Sequence, residues 1–204
     1  MAPGRVPADS TVPRILEASL EQFAILGISR TSLTDIARRA GVDRATIYRR
    51  VGDLETVTTA ALALEGQRLI DQIRADIETL TGLQRGEHAF VSTVLRMRNH
   101  PILTRTLEVD RAAALLAIAD VTPVMIKAAS DFVVDEIQRA GSLGYRPSIP
   151  ADALAEMTVR LVHSLVVFPD GPPALATAEE LTDYFRTNIA PVWSTPKLSN
   201  AGSV

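Results

Sequence analysis

From Thr31 to Val51 the chain holds two short amphipathic segments with almost nothing between them, and that spacing restricts its possible folds more than any other feature. Leu33, Ile36, Ala37 and Ala40 recur at helical intervals after Thr31-Ser32, whose hydroxyls suit a helix start. Gly41 ends this segment, Val42 points back toward the core, and Asp43 caps a second segment that runs through Ile47 to Val51. So tight a connection is met by two helices crossing at a steep angle. Gly41 allows the turn, and Ala37, Val42 and Ile47 fill the angle between the helices. The spacing predicts a helix-turn-helix.

The rest of the sequence is also read as helical, with no segment of useful length at strand period, so the fold class is all-α. Residues 1–12, rich in proline, glycine and small polar residues, read as a mobile arm. A first helix is expected from Pro13, capped by Thr11, through Leu16, Leu20, Phe23 and Ala24 to Gly27. A long helix from about Leu54 to Leu80 presents Leu62, Leu69, Ile73, Ile77 and Leu80, with Gly82 and Gly86 as its breakers. A shorter one from about Glu87 carries Phe90, Val94 and Met97 as far as Asn99-His100-Pro101. Ile102 to Asp120 reads as one or two helices with a break near Asp110, and Thr122-Pro123 opens the next, which ends at Gly141. After Pro150 a helix bears two apolar faces, Leu154, Met157, Leu161, Leu165 and Phe168 on one, Val159, Val162 and Val166 on the other. Thr177 and Glu180 form a capping box for a last helix with Leu181, Tyr184, Phe185, Ile189 and Val192, and the tail after Trp193 reads as disordered. Two domains are expected: residues 1–53, arm and helix-turn-helix, and residues 54–204, a helical body.

Charge distinguishes the two. Between Arg30 and Arg50 six arginines (30, 38, 39, 44, 49, 50) stand against Asp35 and Asp43, a local +4, which leaves −7 for the remainder of a chain whose net charge is −3. A basic patch on an acidic body suits a localised phosphate-contacting surface, because guanidinium groups gain by displacing counterions from a nucleic-acid backbone. The absence of cysteine excludes disulfide and thiol chemistry. No run of about 18 apolar residues and no signal-peptide layout appear, so a cytoplasmic protein without membrane contact is expected. His88, His100 and His163 are not spaced to build a metal site, and neither a phosphate-cradling glycine loop nor a nucleophile motif occurs. No metal, no cofactor and no catalysis are expected.

From Arg14 to Val57 the residues resemble the TetR family of one-component bacterial regulators. The resemblance rests on Ala18, Phe23 and Gly27 in the first helix, then Thr31-Ser32-Leu33, Asp35-Ile36-Ala37, Ala40-Gly41-Val42 and Thr46-Ile47-Tyr48 with Val51 behind them. Two positions depart from the family pattern. Val51 is a smaller plug where an aromatic is common, and Leu54 stands where a phosphate-contacting lysine is common.

The resemblance implies a DNA-binding head, a C-terminal helical domain for effector binding and dimerisation, and a homodimer paired through its last two helices. The recognition helix is then about Asp43 to Val51. Arg44 is placed to read a guanine edge, Ala45 and Thr46 to approach bases closely, Tyr48 and Arg49 to reach phosphates, and Thr31 and Ser32 to cap a helix and anchor the DNA backbone. The partners are a palindromic double-stranded DNA operator and a small-molecule effector. Because the body supplies many aliphatic and methionine side chains and few inward charges, the effector is expected to be apolar and held among Phe90, Met97, Leu107, Met125, Phe132 and Leu161. The competing reading is a helical small-molecule binding protein without operator function.

Overall fold

The computed structural model describes residues 10–109, 111–142, 146–173 and 175–193, with the side chains of 112–125 outside the description. Residues 1–9 of the expected arm, the tail after Trp193 and the break at Asp110 itself lie outside the described residues, whereas Thr11 and Val12 already belong to the first helix, with Ser10 rather than Thr11 at its N-cap. All described regular structure is helical: α1 (Thr11–Leu26), α2 (Leu33–Ala40), α3 (Arg44–Arg50), α4 (Leu54–Asp76), α5 (Gly82–Arg98), α6 (Pro101–Val109), α7 (Arg111–Ser142), α8 (Ala151–Val167), α9 (Ala178–Tyr184) and α10 (Ala190–Trp193), the last two joined by one π-helical turn, Phe185–Ile189. No helix among the described residues is long and apolar enough to cross a membrane.

Packing divides the chain into two units. The first comprises the chain up to Arg68 together with Asn99–Val124, and the second Leu69–Arg98 together with Met125 onward. The unit holding the helix-turn-helix is therefore larger than residues 1–53, since it takes in most of α4 and the whole of α6.

In the first unit the core is Ile15 and Ala18 of α1, Leu33, Ile36, Ala37 and Ala40 of α2, Ile47 of α3 and Val57 of α4, with Val42, Val51 and Leu54 packed against it. Leu54 thus adds apolar volume beside Val51, the side chain that is smaller than the family's usual plug. A neighbouring cluster joins Leu20 and Phe23 of α1, Ala61 of α4 and Ile102 of α6.

In the second unit Phe90 and Val94 of α5 pack with Leu181, Phe185, Ile189 and Ala190. Ile73 and Ile77 of α4 pack with Phe132 of α7, and Ile137 with Leu154 and Ala155 of α8. The most buried ion pair links Arg85 of α5, 14% exposed, to Glu136 of α7, 8% exposed. The same guanidinium donates to the carbonyls of Ile77, Glu78 and Leu80, which lie beyond the end of α4.

Several boundaries differ from the sequence expectation. Gly86 lies inside α5, which starts at Gly82, rather than ending a helix. A Cβ there would sit 3.4 Å from the Phe185 ring and 3.5 Å from the Trp193 ring, so this glycine packs against two aromatic side chains at ordinary contact distance. The helix expected to open at Pro123 is the continuation of α7, which runs unbroken from Arg111 to Ser142. A proline costs a helix one backbone hydrogen bond and does not have to end it when the flanking residues stay helical. On α8, Val159 and Val166 are buried within the chain, whereas Met157 and Phe168 of the other face are exposed.

Candidate nucleic-acid interface

The helix-turn-helix is built by caps. Ser32 Oγ accepts the Asp35 N–H at 3.3 Å while Asp35 Oδ2 accepts the Ser32 N–H at 3.1 Å, a reciprocal box that starts α2. Gly41 ends α2 in the left-handed conformation, φ +63°, with its N–H turned back to the carbonyls of Ala37 and Arg38. Two residues later Asp43 Oδ1 accepts the Thr46 N–H at 2.6 Å and starts α3. Hydrogen bonds from the Ser32 hydroxyl and amide, helped by Arg38, hold the Asp35 carboxyl below its ordinary range, and those from Thr46 do the same for Asp43.

α3 is anchored by Ile47, which is fully buried. The stripe away from that anchor holds Arg44, Ala45, Tyr48 and Arg49, all exposed. Arg44 and Tyr48, and Ala45 and Arg49, are one helical turn apart, so the four share one face. Thr46 flanks them half-buried, and its hydroxyl accepts a hydrogen bond from Arg49 Nη2 at 3.1 Å. Among the described residues the Arg44 guanidinium makes no hydrogen bond or ion pair.

The remaining expected contacts are placed unevenly. Ser32 is exposed at the start of α2. Thr31 is 3% exposed, and its hydroxyl donates to the Gly27 carbonyl at 2.8 Å, so that donor is committed to the turn between α1 and α2. Arg38 pairs with Asp35 at 2.6 Å and stays 75% exposed, while Arg39 pairs with Glu21 of α1. The pairing with Glu21 was hidden from a charge count restricted to residues 30–50, because its acid lies 18 positions away.

Of the residues expected to hold an effector, Phe90 and Leu161 are brought together in one cluster. Phe132 is in another, against Ile73 and Ile77, with the Arg74 guanidinium 5.2 Å from its ring centroid. Met97 is half-buried on α5, in the second unit, and Leu107 half-buried on α6, in the first. The Met125 side chain lies outside the described residues.

Comparison with known proteins agrees with this geometry. Residues 15–51, α1 through the end of α3, match the bacterial regulatory proteins of the tetR family. An HTH-type transcriptional regulator of Mycobacterium tuberculosis is 28% identical over 157 residues, 76% of this chain and 74% of that one. The HTH-type transcriptional regulator SrpR of Pseudomonas putida is 33% identical over 94 residues, 46% of this chain and 42% of its own. Among solved structures, a TetR-family regulator from Pectobacterium atrosepticum superposes with a TM-score of 0.71 at 16% identity, covering 95% of this chain and 100% of that chain. The TetR family repressor AlkX from Dietzia, implicated in the biodegradation of n-alkanes, gives 0.64 at 17% identity, covering 92% and 96%. The helix-turn-helix of this chain is that of the bacterial regulatory proteins of the tetR family, and its helical second unit shares the fold of solved TetR-family chains.

Proposed function

We propose that this regulator is a homodimeric repressor that holds a palindromic operator with two copies of α3 and leaves it when a small, mainly apolar effector binds in its C-terminal half. The observation that carries the DNA reading is the orientation of α3: Ile47 fixes its inner face, Asp43 fixes its start, and Arg44, Ala45, Tyr48 and Arg49 are left together on the outer face. A helix presented in this way fits the major groove. Arg44 reads a guanine edge, Ala45 and Thr46 permit close approach, and Tyr48, Arg49 and Ser32 contact phosphates. The protein acts by binding rather than by catalysis. The arm and helix-turn-helix of residues 1–53 read DNA, and residues 54–204 supply effector binding and dimerisation.

The apolar character of the effector is supported by what the cationic side chains of the second unit already do. Arg96 pairs with Asp76 and donates to Gln72 at 3.1 Å, Arg98 donates to the Leu165 and Leu175 carbonyls, and Arg85 is held by Glu136. An anionic effector would have to displace one of these partners, at a desolvation cost that an apolar one avoids. In that unit Phe90 and Phe132 are buried in the apolar core and Met97 and Leu161 are half-buried, so an effector held among them would enter an apolar setting, Leu107 and Met125 being the other candidates. SmeT, a chain of the same fold, forms a complex with triclosan.

Selection from a random duplex library tests the reading directly. Enriched sequences should carry two inverted half-sites spaced by about one DNA turn, roughly 34 Å. Enrichment of a single half-site, or none, would remove the dimeric operator from the proposal. A thermal-shift screen against apolar and anionic metabolites then tests the effector, with release of the selected duplex as the second readout. Stabilisation and release by multiply charged compounds alone would overturn the apolar assignment.

A further inference from the structure

Thr106, on α6, is 1% exposed, and its Oγ1 accepts the Ile28 N–H at 3.3 Å across 78 positions of sequence. Ile28 follows Gly27, whose φ of +82° turns the chain out of α1. A Cβ on Gly27 would stand 3.5 Å from the Thr106 Cα and 3.5 Å from the Val109 Cβ, so the backbone of α6 lies directly against this turn. The other side of the turn is held by the Thr31 hydroxyl on the Gly27 carbonyl. Thr31 immediately precedes Ser32, the cap of α2.

The contact is part of a longer seam within the first unit. Ile102 packs with Leu20 and Phe23, Arg105 Nε donates to the Ile25 carbonyl at 2.8 Å, and Thr106 meets Ile28. The partners advance together, so α6 runs parallel to α1. At the start of α6 the His100 ring lies 2.9 Å from Glu65 of α4, which stands 3.5 Å from Arg68, and Arg68 pairs with Glu17 of α1.

We propose that α6 is a working member of the DNA-reading head and that Thr106 is a positioning residue for α2 and α3, acting through the Gly27–Thr31 turn. The inference rests on the operator-binding reading and adds to it the residue that sets the angle at which the helix-turn-helix is presented. The physical reason is that the Ile28 N–H has left the ladder of α1. A part-buried amide of this kind either finds a fixed acceptor or forces the turn to reopen toward water. Thr106 is that acceptor, and Ser32, the cap of α2, lies four residues after Ile28.

The test uses the full chain, a duplex selected by the wild-type protein from a random library, and a scrambled duplex of the same composition. Thr106→Val keeps the shape and removes the acceptor. It should lower the ratio of selected to scrambled affinity about tenfold and raise amide hydrogen exchange at Ile28 and in α2 by a similar factor, while affinity for the scrambled duplex stays constant. Thr106→Ser should restore both. Arg105→Gln, which removes the bond from Nε to the Ile25 carbonyl, should lower the ratio about threefold and serves if the valine variant does not fold. An unchanged ratio in Thr106→Val, or in Arg105→Gln where only that variant folds, overturns the proposal even if the melting temperature falls, since the seam would then be structural alone. A wild-type protein that fails to discriminate any duplex sinks the operator reading instead. The positioning role is then decided by exchange, and an Ile28 amide as protected in Thr106→Val as in wild type rejects it.

Discussion

The Asp43 carboxylate accepts the Thr46 N–H at 2.6 Å, and this bond caps the start of α3. Arg44, the first residue of α3, owes its position to it. The carboxyl is held below its ordinary range by the Thr46 hydrogen bonds, and that of Asp35 by Ser32. Carboxyls depressed in the folded chain contribute stability that is fully present above the unfolded value near 3.9 and is lost as pH falls through the lower folded value. Thermal unfolding between pH 7 and 2.5 should therefore show the first unit losing stability below about pH 4. Asp43→Ala should lower the melting temperature at pH 7, and Asp43→Asn by less, because the amide oxygen still caps. Equal losses in the two variants would show that charge, not the acceptor, matters at this position.

Arg44 and Arg49 share a face of α3 but differ in commitment, since only Arg49 is hydrogen-bonded to Thr46. Arg44→Ala should lower affinity for the selected operator by about 1–3 kcal/mol and leave random DNA nearly unaffected. Arg49→Ala should weaken both and reduce the salt slope by about one. Gel retardation at several salt concentrations measures all four quantities. Equal losses on operator and random DNA in both variants would refute the division into base reader and phosphate contact.

The head could be read from its sequence because its determinants are local. The Ser32–Asp35 box, Gly41 and the Asp43–Thr46 cap each reach no more than four positions along the chain, and the same holds for Thr177–Glu180 at the start of α9. What sequence alone did not show depends on distant partners. Gly86 reads as a breaker, yet it lies inside α5 beside the Phe185 and Trp193 rings, partners about a hundred positions away. Nothing near Thr106 announces that its partner is Ile28, so α6 reads as part of the body although it packs in the unit of the head. The π-helical turn at Phe185–Ile189 is likewise invisible to a 3.6-residue period.

The proposed dimer can be tested at residues chosen by exposure rather than by apolar pattern. Val166, on the face expected to meet a second subunit, is 5% exposed, so Val166→Arg would bury a charge and unfold the second unit. Met157 and Phe168, 57% and 56% exposed on the outer side of α8, are the large apolar side chains left to a partner. Met157→Arg should leave the circular dichroism spectrum and melting behaviour of the isolated subunit intact and shift sedimentation from dimer to monomer. A dimer that survives both Met157→Arg and Phe168→Arg would place the interface away from this face of α8.

His163 of α8 offers a pH test of the same unit. Burial, and to a smaller degree Arg160, lowers its pKa below that of a free imidazole. The folded chain therefore takes up the proton less readily than the unfolded one. Stability is intact above the unfolded value near 6.5 and falls as pH drops below it. Urea unfolding at pH 7.5 and 5.5 should show a lower midpoint at the acid value for the wild type. In His163→Gln the difference should shrink by the part His163 supplies. An unchanged difference in the variant would mean that the histidine is solvated in the folded protein.

The Arg85–Glu136 pair makes the sharpest energetic prediction. Both groups are largely buried, and Arg85 also closes the chain beyond α4 by donating to the carbonyls of Ile77, Glu78 and Leu80. Removing one member of such a pair leaves a poorly compensated charge in a poorly solvated site, Glu136 keeping only the exposed Arg139 at 3.8 Å, whereas removing both replaces two desolvation costs with apolar packing. Arg85→Met should cost roughly 3–5 kcal/mol of unfolding free energy, and Glu136→Leu a comparable amount. The double variant should lose less than the sum of the two single losses without returning to wild type, because the three carbonyls still lack their donor. Urea unfolding of the wild type, the two single variants and the double variant gives the coupling free energy directly. Additive losses would show that the two charges are each solvated on their own, and that the clip holding the end of α4 is the arginine–carbonyl contact alone.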